Sequence, residues 1–214
     1  MILSRNPRAF EERFSNLCSS IPIELIEGDL NRLKDLKISL DFDYFMHGAF
    51  DSSKGKLISA KETFDNIVDG TKAALTFANF HNCKKFLFIS SGAIYGNQPE
   101  HINALHETYY GKPDPFKSAS TYGIAKSAAE NLVHIYSEQF DFDYVIARCF
   151  AFVGEDMPLN SHYAVANFLS NALNKQDIII KGDGSSVRTY MYQDDLARIL
   201  TKLIMEQCKF KVYN

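Results

Sequence analysis

Short apolar runs alternate along most of the chain with longer stretches in which apolar residues recur at helical spacing. The runs predict strands, and the stretches predict amphipathic helices. Strands are expected at residues 1–4, 21–27, 44–47, 85–90, 144–149 and 177–180, and helices at 7–18, 60–81, 120–140, 161–174 and from about 194. Strands that alternate with helices in this way are typical of an α/β fold built around a parallel sheet.

Two features stand out within this pattern. The helix expected at 60–81 has an apolar stripe that fits either a buried core contact or a dimer contact, and the core is the favoured interpretation. The stripe consists of Phe64, Ile67, Val68, Ala74, Leu75 and Ala78. The polar segment 92–118 contains the only Pro-rich stretch, from Pro99 to Pro115, and a long loop of this kind in a compact domain usually carries function.

Length and charge narrow the class of function. The chain has 214 residues, of which 46% are hydrophobic, enough for one domain with a real core. Its formal net charge is −3, without a block of like charge, so nucleic acid and anionic membrane are not expected partners. A small-molecule site is the better expectation.

The cysteines and the first residues indicate a compartment. The four cysteines are far apart and lack His partners at metal spacing, so we predict free thiols in a cytoplasmic protein and no metal site. No signal sequence and no apolar run of about 20 residues is present.

A possible acid–base pair lies in the sequence STYGIAKSAAE. Tyr122 and Lys126 are one helical turn apart and therefore share a face. An ammonium group beside a phenol lowers the pKa of the phenol from about 10 and provides a proton acceptor nearer neutrality. On spacing alone, an exposed tyrosine above a solvated lysine remains the better interpretation.

The run KFLFISSGAIYG adds context to this pair. Ser90 and Ser91 stand where an apolar strand ends and a glycine-containing turn begins. In open α/β sheets, ligands bind outside the carboxyl ends of the strands. A serine there can hydrogen-bond a substrate hydroxyl as it becomes a carbonyl, although a serine that caps the turn is the alternative.

Seven motifs in order resemble the NAD-dependent epimerase/dehydratase family, the extended short-chain dehydrogenases/reductases. The resemblance extends over nearly the whole chain, and each motif alone is modest. The motifs are GDL (28–30), MHGAF (46–50), FDNIVDGT (64–71), SSGAIYG (90–96), YGIAK (122–126), ARCFAFVG (147–154) and GDGSSVRTYMYQDDL (182–196).

The resemblance implies roles for particular residues. Tyr122 is the expected base that takes a proton from a sugar hydroxyl, Lys126 lowers its pKa and contacts the nicotinamide ribose, and Ser91 polarises the reacting oxygen. For Asn66, a polar residue on a helix face fits equally well. The residues implied at the cofactor are Arg5, Asp29, Leu30, Gly48, Ala49, Asn66, Tyr122 and Lys126.

The same resemblance implies a nucleotide-sugar substrate. Besides Ser91, Arg188 and Asn167 resemble residues that contact its diphosphate, where a guanidinium offers two parallel donors. A surface arginine at a strand edge is the alternative for Arg188. Asp194 and Asp195 are expected to cap the next helix. A homodimer through the helices at 60–81 and 120–140 is a further expectation from the family.

The sequence departs from the family pattern in three places. Ala151 replaces an asparagine that contacts the sugar nucleotide in many members, and Gly92 and Ala93 replace the Asp–Glu pair of the 4,6-dehydratases. Support for dehydration and decarboxylation is weakened accordingly. A GxxGxxG turn, which holds the pyrophosphate in this fold, is missing.

These observations predict a Rossmann-like, doubly wound parallel sheet that lacks the first βα unit and the C-terminal part of the substrate lobe. In the strand order 3-2-1-4-5-6 the missing strand is central, so two unpaired strand edges are expected. We interpret residues 1–150 as a partial NAD(P)-binding domain. Residues 151–214 are interpreted as the start of a substrate-binding region, interleaved with the last strands of the sheet.

Two functional hypotheses follow. The first is an NAD(P)-dependent nucleotide-sugar epimerase or 4-ketoreductase, with NADP favoured over NAD because Ser4 and Arg5 stand where NAD enzymes tend to keep an acidic residue. The second is a non-catalytic remnant or fragment of such an enzyme that does not hold the cofactor.

Overall fold

A computed structural model describes residues 1–36, 38, 41–50, 58–159, 163–180 and 182–214. Within these ranges the strands are β1 (Ile2–Ser4), β2 (Leu25–Glu27), β3 (Tyr44–His47), β4 (Lys85–Ser91), β5 (Asp143–Cys149), β6 (Ala151–Val153), β7 (Tyr190–Tyr192) and β8 (Val212–Tyr213). The α-helices are α1 (Pro7–Arg13), α2 (Ser15–Ser20), α3 (Ala60–Phe80), α4 (Thr121–Phe140), α5 (Ala164–Leu173) and α6 (Gln193–Met205). The predicted α/β class is confirmed.

The main sheet is parallel, in the order β3-β4-β5-β8. Its central strand β4 is buried on both faces because apolar side chains point alternately to each side. Phe86 and Phe88 pack with α3 and α4, whereas Leu87 packs on the opposite face with α6. Helices therefore cover both faces of the sheet, and complete burial of each of these side chains contributes about 1.5–3 kcal/mol.

The strands β1 and β2 pair in parallel with each other but not with the main sheet. Among the described residues, β1 and β3 each have a single strand partner, so the unpaired edges predicted from the strand order are confirmed. A cleft lies between these two parts of the fold.

The helix α3 has a capped N-terminus and a buried apolar face. In α3 the Ser59 hydroxyl accepts the Glu62 backbone N–H at 3.1 Å, and the Glu62 carboxylate accepts the Ser59 N–H at 2.8 Å. The apolar stripe of α3 faces the core, as favoured from the sequence: Ile67, Ala74, Leu75 and Ala78 are buried, whereas Phe64 is partly exposed.

The loop after β4 begins and ends with short 3₁₀ turns, at Gly92–Tyr95 and Ser118–Ser120. Gly96 has a φ of +70°, and a Cβ atom there would lie 2.5 Å from the Lys112 carbonyl oxygen. The two sides of this loop thus approach closely at a position where only glycine fits.

The structure corrects several predicted elements. The strand predicted at 177–180 is wrong, since this segment is irregular and Ile178, Ile179 and Ile180 are 52–67% exposed. The helix predicted at 7–18 is broken at Phe14, and the strand predicted from residue 21 begins at Leu25. The first two residues of the helix predicted at 161–174 lie outside the described residues.

The parallel β6–β7 pair was not predicted. Because β7 leads directly into α6, that helix begins at Gln193. Asp194 and Asp195 lie in its first turn, where their negative charge interacts favourably with the helix dipole. Neither side chain caps the helix, contrary to the prediction.

Candidate active site

A cleft of about 630 Å³ opens beside the carboxyl ends of β1, β2 and β3. Ligands of open parallel sheets bind at this end of the strands because the loops that follow them converge there. The lining includes every residue that the sequence placed at a cofactor outside α4. These residues are Arg5, Asp29, Leu30, Gly48, Ala49 and Asn66.

Two glycines of the lining are packed so tightly that no larger residue fits without displacement of a neighbour. A Cβ atom at Gly28 would lie 2.8 Å from Leu3 Cδ1, and one at Gly48 would lie 2.9 Å from Ile89 Cδ1. Both glycines follow the ends of strands. They therefore present bare backbone to the cleft, which allows a ligand to approach the main chain closely.

The polar groups of the cleft come from three different elements. Asp29 caps the 3₁₀ turn Leu30–Asp35, and its carboxylate accepts the Asn31 N–H at 3.0 Å. Arg5 is exposed after β1, and Asn66 is exposed on α3. The cleft thus offers an anionic acceptor, a cation and an amide around an open space.

Tyr122 and Lys126 lie in the first turns of α4, and Ser91 ends β4. The N-terminus of α4 comes very close to the turn after β4, since a Cβ atom at Gly123 would lie 2.3 Å from the Ala93 carbonyl oxygen. Ser91 caps that turn by accepting the Ala93 N–H at 3.2 Å. The structure therefore brings the three predicted catalytic residues to one place.

Phe50 connects this group to the cleft. It lines the cleft, and its ring centroid is 5.4 Å from that of Tyr122. The predicted base thus lies directly beside the space that the predicted cofactor residues surround.

The electrostatics of the pair differ from the prediction. Burial raises the pKa of Tyr122 above its ordinary value, and a hydrogen bond with Ser91 opposes this shift. The expected lowering of the Tyr122 pKa by Lys126 is not found, because the lysine points to the strand. Its Nζ donates to the Ile89 carbonyl at 2.8 Å and lies 4.7 Å from the centroid of the Phe88 ring.

The lysine itself is strongly affected by its surroundings. Burial lowers the pKa of Lys126 to about 8 because the ammonium loses water, while Cys149 and Glu130 oppose that shift. Nearby, burial lowers the pKa of His47 to about 3, and Lys126 contributes to that shift. Perturbed groups of this kind beside a cleft are typical of functional sites.

The two residues predicted at the substrate diphosphate are not brought to the cleft lining. Asn167 is exposed on α5 and donates to the Tyr163 carbonyl at 3.0 Å. Arg188 is exposed in irregular backbone and donates to the adjacent Val187 carbonyl. Tyr163, which precedes α5, interacts electrostatically with Tyr122, so the start of α5 lies near the reactive group.

Sequence analysis missed a buried network one turn beyond Lys126. Glu130 and Arg148 form an ion pair at 2.8 Å with side chains only 10% and 13% exposed. Two signals could have indicated it. Glu130 continues the spacing of Tyr122 and Lys126 on one helix face, and Arg148 interrupts an otherwise apolar strand.

The model of the NAD dependent epimerase/dehydratase family matches residues 2–214. The chain belongs to this family. The resemblance identified from the motifs is therefore confirmed.

Individual relatives of this epimerase/dehydratase chain act on nucleotide sugars according to their names. It is 30% identical over 195 residues to UDP-glucuronic acid decarboxylase 1 of Arabidopsis thaliana, covering 91% of the chain and 43% of that protein. It superposes on a UDP-N-acetylglucosamine 4-epimerase of Methanobrevibacter ruminantium M1, in complex with UDP-N-acetylmuramic acid. That superposition has a TM-score of 0.73 at 27% identity, over 88% of the chain and 59% of the other.

A third relative is a UDP-glucuronic acid 4-epimerase of Bacillus cereus in complex with NAD. The TM-score is 0.68 at 25% identity, over 87% of this chain and 57% of that one. The chain thus spans about two fifths to three fifths of the length of these three relatives.

No described helix is both long and apolar enough to cross a membrane. Among the described residues, no group of three or more His, Cys, Asp or Glu side chains is placed to hold a metal ion.

Proposed function

We propose that this chain binds NAD or NADP in the cleft and acts at C4 of a nucleotide sugar, as an epimerase or a 4-ketoreductase. One observation carries the proposal: six residues chosen from the sequence as cofactor contacts surround one cleft, and Phe50 connects that cleft to Tyr122. The names of the relatives support a nucleotide sugar as the substrate class.

The residues present fit a dinucleotide. The cleft has the volume and position of a cofactor site in an α/β fold, with bare backbone at Gly28 and Gly48. Asp29 would hold the adenosine half through its carboxylate, and Asn66 would contact the cofactor through its amide nearer the active site. When bound, the cofactor supplies the acceptor and donor of a hydride at the sugar carbon.

The residues of the chain would handle the proton and the position of the sugar. Tyr122 accepts the proton of the C4 hydroxyl, and Ser91 donates a hydrogen bond to the same oxygen as it becomes a carbonyl. Since burial raises the pKa of Tyr122, its ionised form needs a cation nearby. Lys126, on the same helix face, would be that cation once its Nζ turned from the Ile89 carbonyl towards the phenol. Arg188 and Asn167 would meet the diphosphate from the 151–214 region.

We further propose NADP as the preferred cofactor. Arg5 is exposed at the cleft after β1, where a guanidinium can pair with a 2′-phosphate. Calorimetric titration of the folded 214-residue chain with NAD and NADP in separate runs tests both parts. Binding of either cofactor supports the site, and tighter binding of NAD would refute the preference.

A matched pair of variants assigns the preference to Arg5. Arg5→Ala is expected to weaken NADP binding by about 10-fold to 100-fold, as for loss of a charged hydrogen bond, and to leave NAD binding unchanged. Arg8→Ala, an exposed arginine of α1, is the control and should change neither.

The second candidate function is a binding remnant that does not hold the cofactor. The separation of β1–β2 from the main sheet favours it, since two unpaired edges border the cleft in the described part of the chain. A folded chain that binds neither cofactor would decide for this candidate.

Assembly and location complete the proposal. We infer a homodimer through α3 and α4, which pack side by side and leave Phe80 and Ile135 78% and 44% exposed. Sedimentation of a monomer at micromolar concentration would contradict this.

All four cysteines are free, which supports a cytoplasmic location, and cell fractionation tests it.

A further inference from the structure

A buried ion pair joins α4 to β5 one turn away from Lys126. The Arg148 guanidinium donates from Nε and Nη2 to both carboxylate oxygens of Glu130, at 2.8–3.2 Å. The Ser90 hydroxyl donates to the same carboxylate at 2.5 Å. Glu130 thus ties α4 to the ends of two neighbouring strands, β4 and β5.

The other side of Arg148 holds the loop after β4. Its Nη1 donates to the Tyr95 hydroxyl at 2.7 Å and to the Glu107 carbonyl at 3.0 Å. The Tyr95 hydroxyl in turn donates to the Asn214 side chain at 2.8 Å. Asn214 donates to the Leu105 carbonyl and, from its backbone, to the Glu107 carboxylate.

Two members of this network lie close to residues of the proposed site along the chain. Glu130 follows Tyr122 and Lys126 at successive helical turns, and Ser90 precedes Ser91. A buried ion pair is a weak source of stability, because the cost of removing two charges from water offsets their attraction. What the pair provides is a fixed geometry, since a bidentate contact defines both distance and orientation.

We propose that Glu130 and Arg148 are positioning residues, whose buried ion pair holds Tyr122 and Lys126 in place against Ser91 and fixes the loop at 105–108 through Arg148. The kinetic consequence rests on the proposed function, whereas the structural consequence does not.

The first test compares two glutamates of the same helix. Glu130→Gln removes the buried charge, and Glu138→Gln removes an exposed one that pairs with His134. In Glu130→Gln we expect the segment 105–108 to exchange its amide hydrogens about 10-fold faster than in the wild type. In Glu138→Gln the exchange of this segment should be unchanged.

Lys126 provides a second readout that a general loss of stability would not produce. The titratable groups around its amine are His47, Cys149 and Glu130. Loss of the Glu130 charge should lower the pKa of Lys126 below that of the wild type, as seen by NMR of the lysine side chain. The Glu138→Gln variant should titrate as the wild type does.

Turnover is the third readout. If the helix shifts by a fraction of an ångström, kcat for a nucleotide sugar should fall by up to about 100-fold, with KM nearly unchanged. The exchange and NMR readouts need neither cofactor nor sugar. A wild-type chain without turnover would therefore refute the proposed function and leave the positioning role to be judged by those two measurements.

A double variant covers the case in which Glu130→Gln fails to fold. Glu130→Met with Arg148→Met replaces the pair by apolar side chains, a change that buried ion pairs often tolerate. It should fold with a Tm near that of the wild type and still show fast exchange at 105–108. Wild-type exchange and a wild-type Lys126 titration in this variant would overturn the proposal. So would loss of the fold in both variants, because the pair would then determine folding rather than position.

Discussion

The inner face of α4 carries three ionisable side chains at successive turns, Tyr122, Lys126 and Glu130. The spacing of the first two can be found in the sequence, but their electrostatic state cannot. Burial raises the pKa of Tyr122 and lowers that of Lys126, so both groups are shifted towards their neutral forms. At the scale of single residues, desolvation dominates over the mutual attraction expected from spacing.

Replacement of Tyr122 by phenylalanine tests the assigned base. Tyr122→Phe should lower turnover of a nucleotide sugar by about 100-fold to 10,000-fold, the usual contribution of a general base, and leave cofactor affinity unchanged. Tyr110→Phe is the matched control, because Tyr110 is 96% exposed in the loop. Steady-state kinetics and calorimetry make the comparison. Turnover at the wild-type rate in Tyr122→Phe would refute the role.

The buried imidazole of His47 should make the free energy of unfolding depend on pH in the acid range. Its Nε2 lies 3.1 Å from the Thr71 hydroxyl, and burial lowers its pKa to about 3 from the ordinary 6.5. The unfolded chain thus binds a proton at His47 below pH 6.5, whereas the folded chain does so only near pH 3. The free energy of unfolding should fall between these values by up to about 1.4 kcal/mol per pH unit from this residue.

Two glutamine variants separate His47 from other groups that titrate in the same range. His47→Gln should flatten the decline of stability between pH 6.5 and pH 3, measured by urea unfolding. His101→Gln changes an exposed histidine of the loop and should leave the slope as it is. Equal slopes in the two variants would show that His47 is not the group responsible.

At the scale of elements, the position of α4 depends on how closely it approaches the turn after β4. Gly123 is buried at that contact. The residue before it in α4, Tyr122, lies beside the ring of Phe50. The sequence predicts both α4 and β4 within one or two residues of their ends, but not the distance between them. That distance depends on the lack of a side chain at Gly123, and a glycine adds nothing to the hydrophobic periodicity from which elements are predicted.

Replacement of Gly123 by alanine is expected to force α4 away from the turn. The new Cβ would lie 2.3 Å from the Ala93 carbonyl oxygen, so the backbone must shift, at a cost of about 1–3 kcal/mol in unfolding free energy. Gly182→Ala is the control, since among the described residues no atom beyond its chain neighbours lies within 4 Å of a Cβ built there. Chemical denaturation compares them, and equal stability of the two variants would contradict the close contact.

At the scale of the whole molecule, the chain consists of a buried parallel sheet and a separate strand pair. The main sheet has helices on both faces, whereas β1 and β2 are only partly buried. The cleft lies between the two parts, so both must be ordered for the proposed cofactor site to exist. The site is therefore sensitive to the part of the fold that has fewer partners.

Hydrogen exchange should separate the two parts. The Ile2 amide donates to the Glu24 carbonyl and the Gly28 amide to the Ser4 carbonyl. We expect the free energy of the local opening that exposes these two amides to be lower, by about 2 kcal/mol or more, than that for the amides within β4. The reason is that local stability follows local packing. Saturating NADP should slow exchange at Ile2 and Gly28. Equal protection of both strand sets without ligand would contradict this independence.

The sequence by itself determined the α/β class, the alternation of most strands and helices, the family and six of the residues that line the cleft. These follow from periodicity and from short motifs, which are local in the chain. It did not determine the short β6–β7 pair, the exposed segment 177–180, the state of Tyr122 and Lys126, or the ion pair between Glu130 and Arg148. Each of these depends on contacts between distant residues and on removal of charges from water, which only the tertiary structure decides.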